Sequence, residues 1–157
     1  MTDEPDPTRL VADADVLAAD LLVGGAARDV LDAVRAHSWL TLVVSDPLLD
    51  DAEAVVADLA NAELAADWRD AVDALGESVD HPAGDHPALA CAYRGEAAHV
   101  LTYEEDLLTT KANATLKQFV TTSFKTPDAF ATVFDPEQLY PALFDEPYPG
   151  PDADPRD

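Results

Sequence analysis

Short apolar strand-like runs alternate along this chain with longer segments of helical periodicity, and that alternation limits the possible folds more than any other feature. LVAD at 10–13, TLVVS at 41–45 and HVLT at 99–102 read as strands, with QFVTTS at 118–123 as a possible fourth. Between and after them, residues 15–22, 26–36, 45–60, 63–75 and 85–95 read as helical segments, and 126–134 and 135–144 read as closing helices. Gly24 and Gly25 break the first two helical segments apart, Pro47 suits a first helical turn after Ser45 or Asp46, and DHPALACAYRG has a capping Asp, an early Pro and an exit Gly. Strands that alternate with helices imply βαβ units. The expected fold is therefore α/β, with a central parallel sheet sandwiched between two helical layers.

A chain of 157 residues, 48% of them hydrophobic, can bury one core and is short for two. Acidic, Pro-bearing tails are expected at 1–8 and 146–157, around a single domain at 9–145. The longest apolar run is too short for a membrane span and the N-terminus lacks a secretory pattern, so a cytoplasmic protein is expected. The single cysteine, Cys91, lies in the run ALACAY and reads as a core residue. There are 32 acids against 9 Lys plus Arg, a net charge of −23 that resembles the surfaces of halophile proteins. In molar salt the Debye length is only about 3 Å, so such self-repulsion is largely screened and most of the acids need no individual function.

Acids inside an apolar framework are another matter. In LVADADVLAADLL, Asp13 ends the first strand where an unpaired carboxylate would be costly. Asp51 stands one turn into the helix after the second strand, Asp85 opens the helix before the third, and Glu104 and Asp106 follow that third strand. Open α/β sheets bind ligands at the carboxyl ends of their strands, so these residues are candidates for one shared site. Carboxylates gathered in a partly buried pocket raise one another's pKa unless cations neutralise them, and hard divalent ions bound through oxygen do this. Each acid also has a purely structural reading as a helix cap or a dipole partner. Asp51 lies on the flank of its helix's apolar stripe and Asp50 points nearly opposite, which favours Asp51 as the site member. His81 and His86 flank Asp85 without the spacing of a helical or zinc-finger ligand pair, and read as loop residues.

The runs LVADADVLAADLL, VVSDPLLDDAEAVV, DHPALACAYRGEAAHVLTYEEDLL and VTTSFKTPDAF, in this order and spacing, resemble the PIN domain of metal-dependent ribonucleases over nearly the whole body of the chain. The resemblance implies a PIN-like sandwich that hydrolyses RNA. It further implies Mg²⁺ or Mn²⁺ held by Asp13, Asp51, Asp85 and Glu104, with Asp106 as a further ligand. Residue types differ from the family's usual pattern at three places: Asp15 replaces Asn or Ser, Asp51 replaces Glu, and Glu104 replaces Asp.

Residues 107–127 contain all three lysines, Lys111, Lys117 and Lys125, and no acid, so they are candidates for an RNA path, a partner surface or a covered sheet edge. Arg28 and Arg94 are further phosphate candidates. The family includes toxins of toxin and antitoxin pairs, which makes an antitoxin a possible protein partner and a homodimer a possible assembly. Two other readings share the same residues: a non-catalytic PIN-like module that binds RNA or a protein, and a small-molecule α/β phosphatase.

Overall fold

The protein is described from a computed structural model that covers residues 6–80, 87–103 and 123–151. Along the chain run β1 (Asp6–Ala12), α1 (Ala14–Leu22), α2 (Gly25–Ala36), β2 (Thr41–Val44), α3 (Asp46–Leu59), α4 (Ala62–Leu75) and β3 (Glu77–Ser78). They are followed by α5 (Pro87–Gly95), β4 (Ala97–Leu101), β5 (Ser123–Lys125), α6 (Pro127–Val133) and α7 (Pro136–Phe144). All five strands are parallel, in the order β3-β2-β1-β4-β5.

This order fixes the layers. From β1 to β3 the chain moves one way across the sheet, and from β3 to β4 it crosses back; right-handed crossovers therefore put α1 to α4 on one face and α5 on the other. Packing agrees: the helices of that face lie side by side in the order α6, α2, α1, α3, α4, while α5 lies over β4, β1 and β2. The result is the expected three-layer α/β/α sandwich. Its core is aliphatic, with Leu10, Val11, Leu42, Val43, Val100 and Leu101 buried on the three central strands. That matches strands covered on both faces.

Four details differ from the sequence reading. The segment after Gly76 contains a strand, β3, whose two residues pair with Val43 and Val44; it has no apolar run because both residues are exposed. β1 begins at Asp6, inside the stretch expected to be a tail, and Asp6 donates its main-chain N–H to Glu96 at 2.7 Å. At the other end Tyr148, also expected in a tail, bonds His37 Nε2 at 2.6 Å and packs with Tyr140. Of the strand expected at 118–123, residues 118–122 lie outside the described residues, and β5 at Ser123–Lys125 extends beyond its expected end. No helix among the described residues is long and apolar enough to cross a membrane.

Candidate functional site

The sheet register lines up the residues that end the strands. Leu10 is level with Leu42, and Ala12, Leu101 and Lys125 share a rank, so the next rank past the sheet comprises Ser45, Asp13, Thr102 and Thr126. Every one of these residues is polar. Asp13 caps α1, Ser45 caps α3 through the Leu48 N–H at 3.2 Å, and Thr126 caps α6 through the Ala129 N–H at 3.2 Å. Thr102 does something else: its hydroxyl donates to Asp13 Oδ2 at 2.9 Å.

Asp13 is only 6% exposed. Its Oδ1 accepts from Ala14 N–H at 2.8 Å, its Oδ2 from Thr102, and its own N–H donates to Leu101 O at 2.8 Å. A carboxylate has about four lone-pair directions, so two stay available after these two bonds. Asp15 is tied across to β4's exit, where Tyr103 N–H donates to its Oδ2 at 3.1 Å. Burial, then the charges of Asp128 and Asp15, raise the Tyr103 pKa. Beneath Asp13, the fully buried Cys91 bonds Ser45. Burial pushes this thiol up to about 11; the Ser45 bond opposes the shift and the Asp13 charge adds to it.

A cavity of about 500 Å³ opens beside this cluster, lined at one end by Asp13, Asp15, Asp51 and Pro87. Its other end is apolar, formed by Leu22 and Val23 of α1's C-terminal end and by Val55 and Leu59 of α3. Asp51 lines this cavity because it stands one and two turns before Val55 and Leu59 on the same face of α3, whereas Asp46, Asp50 and Glu53 face α4. Arg69 of α4 pairs with Asp50, with Glu53 at 2.8 Å and with Asp46 at 3.6 Å. The hydrogen bonds that this guanidinium donates to Asp50 and then Glu53 hold it above its usual pKa. The opposition of Asp50 and Asp51 expected from helical periodicity is thus what the fold displays.

The remaining candidates are distributed differently. Asp85, Glu104, Asp106, Lys111 and Lys117 lie outside the described residues, although Pro87, two positions after Asp85, and Tyr103, just before Glu104, are both at this site. Arg28 donates to the main-chain carbonyls of Asp20 and Leu21 at 3.0 Å each and so finishes α1. Arg94 is exposed in α5's last turn, and α5 runs from the carboxyl edge of the sheet toward the start of β4. Lys125 ends β5 but lines a second cavity, under α6 and α7. Among the described residues no three His, Cys, Asp or Glu side chains form a group able to hold a metal ion. The donors that do line the first cavity are carboxylates, which suit Mg²⁺ or Mn²⁺ and not a soft metal.

Sequence reasoning missed the role of Thr102, for which the only signal was a hydroxyl at a strand end beside buried positions. It also left Asp20 unexplained. That carboxylate, 3% exposed, is paired with Arg35 of α2 through both oxygens, one contact being 3.0 Å. Burial works against the charge on Arg35, but Asp20 and then Asp32 outweigh it and the pKa stands above its usual value.

A family described only as of unknown function, DUF7384, matches residues 4–156. Neither the curated proteins nor the solved structures yield a match.

Proposed function

The chain belongs to the DUF7384 family of unknown function, and we propose that it is a divalent-metal-dependent endoribonuclease of PIN type acting at the acid-lined cavity. One observation carries this reading: Asp13 and Asp51, chosen from sequence on separate elements 38 positions apart (51 minus 13), line the same cavity at the carboxyl edge of a parallel sheet. Pro87 and Tyr103, which flank the other two chosen acids, support it from the same edge.

The residues that would hold Mg²⁺ or Mn²⁺ are Asp13 and Asp51, joined in this proposal by Asp85, Glu104 and Asp106. When bound there, the ion supplies charge neutralisation and Lewis acidity toward a phosphodiester. Thr102 and the Ala14 N–H fix the Asp13 carboxylate, so its remaining lone pairs are directed without a reorganisation cost at the moment of reaction. The aliphatic walls lower the local dielectric around the acids and strengthen their attraction for a cation. A chain of net charge −23 repels a polyanion, so neutralisation at this one place matters more than it would on a basic protein.

The exposed apolar end of the cavity favours a second reading. Val23 is 79% and Leu59 69% exposed, which suits a non-catalytic module that docks a protein partner. One experiment separates the two: Mn²⁺ titration by calorimetry in molar KCl on wild type, Asp13→Asn and Asp51→Asn, followed by incubation of each with labelled RNA. The nuclease reading requires metal uptake and RNA cleavage that both fall at least about tenfold in the variants. A folded wild type that takes up no metal and cuts no RNA assigns the cavity to a partner instead, and cleavage of phosphomonoesters alone makes the protein a phosphatase.

A further inference from the structure

The second cavity, of about 330 Å³, lies between the β4–β5 edge of the sheet and the closing helices α6 and α7. It has the size of a small-molecule site. Its walls are aromatic and aliphatic: Phe130 and Phe134 stack with centroids 4.7 Å apart, Leu139 adds a side, and Val133, 65% exposed, stands at the rim. Into this apolar setting the sheet sends two nitrogen-bearing side chains. His99 lies on β4 with its ring edge-on to Phe130 at 5.0 Å, and Lys125 on β5 ends the neighbouring strand.

Neither residue is what packing alone would select. The chain has three lysines against 32 acids, and this lysine stands where β5 meets an apolar pocket. His99 Nδ1 is buried and makes no hydrogen bond among the described residues, a cost that an apolar residue at the same place would avoid. Burial, and after it the Lys125 charge, lower the pKa of His99, so the ring is neutral beside a cation. Asp135, which also lines the cavity, caps α7 and accepts from the Glu137 N–H at 3.0 Å.

We propose that this cavity binds a small organic anion with a flat apolar body, its anionic head at Lys125 and His99 and its body against Phe130 and Phe134. An anion there counters the lysine charge that opposes His99 protonation, and the walls bury the body as they would a core side chain. Cations and neutral polar molecules gain nothing from that arrangement. The site is separate from the acid-lined cavity, and the proposal stands whether or not the latter cleaves RNA.

The probe is 2-naphthoate, compared with its neutral isostere 2-naphthamide, by calorimetry and by NMR of the His99 ring in molar KCl. Wild type should bind the acid at least about tenfold more tightly than the amide, and the acid should move the His99 titration to higher pH. Lys125→Gln should erase the preference for the acid. Val133→Trp, and Ala142→Trp from the α7 side, should each block binding by filling the cavity; whichever of the two retains the wild-type melting profile serves as the test. Equal affinity for acid and amide, an unmoved His99 titration, or undiminished binding in the folded tryptophan variant would overturn the proposal. So would a Lys125→Gln protein that loses RNA affinity yet keeps its preference for 2-naphthoate.

Discussion

Asp13 shows how one side chain can satisfy a structural and a chemical demand together. It caps α1 with one oxygen and receives Thr102 on the other, which makes its burial tolerable and leaves it facing the cavity. Thr102→Val should therefore cost about 1–3 kcal/mol by leaving a buried carboxylate short of a donor. Urea unfolding measures the loss, and Mn²⁺ affinity should fall with it. Asp20 makes a sharper case, because its carboxylate has nowhere to go but Arg35. Arg35→Ala should cost about 3 kcal/mol, toward the lower end for a broken buried pair because Arg35 keeps some contact with solvent, and Asp20→Asn in that background should restore part of it. Cys91, with its thiol pushed up to about 11, should resist alkylation at pH 8 until the protein unfolds; a rate that does not follow the unfolding equilibrium would contradict its burial beneath Ser45. The depressed pKa of His99 has a defined sign in stability. The unfolded chain binds the proton more readily than the folded one, so stability is intact above the unfolded value of about 6.5 and is lost as pH falls through the lower folded value. His99→Gln should flatten that part of the pH–stability curve.

Among the elements, α1, α3 and α5 were legible because capping residues, glycines and apolar periodicity all act within a few residues of one another. The short strand β3 was not legible. Two exposed residues carry no periodicity, and what makes them a strand is the edge of β2 offering main-chain partners, with Val79 N–H donating to Val44 O at 2.9 Å. Gly95 marks a second feature that only packing reveals. The exit of α5 comes so close to β2 that a Cβ on Gly95 would lie 2.5 Å from Val43 Cγ1. Gly95→Ala should cost about 1–3 kcal/mol from overpacking, and adding Val43→Ala should recover part of that loss in a double-mutant cycle read by thermal or urea melting. Recovery is expected to be incomplete, since Val43 Cβ itself would stand at 3.2 Å.

For the molecule as a whole, charge sets the conditions under which the other terms operate. With 32 acids and 9 Lys plus Arg, four of the arginines are already placed against acids or main-chain carbonyls: Arg9 with Glu77, Arg28 on α1, Arg35 with Asp20, and Arg69 with the acids of α3. The melting temperature should accordingly rise steeply from dilute buffer to molar KCl as the surplus negative charge is screened. A melting temperature that ignores KCl would mean that the acids are balanced by pairing instead. What the sequence by itself determined was the local code: which stretches are helical, which runs are buried strands and, through their alternation, that the sheet is parallel. These follow from periodicity and capping, which are short-range. Only the tertiary structure decided that Thr102 would hold Asp13, that Arg35 would neutralise Asp20, and that Lys125 would face a separate cavity with His99. Each of these joins residues on different elements, and the reach of a side chain across a sheet or between helices depends on strand order and register, which no local pattern encodes.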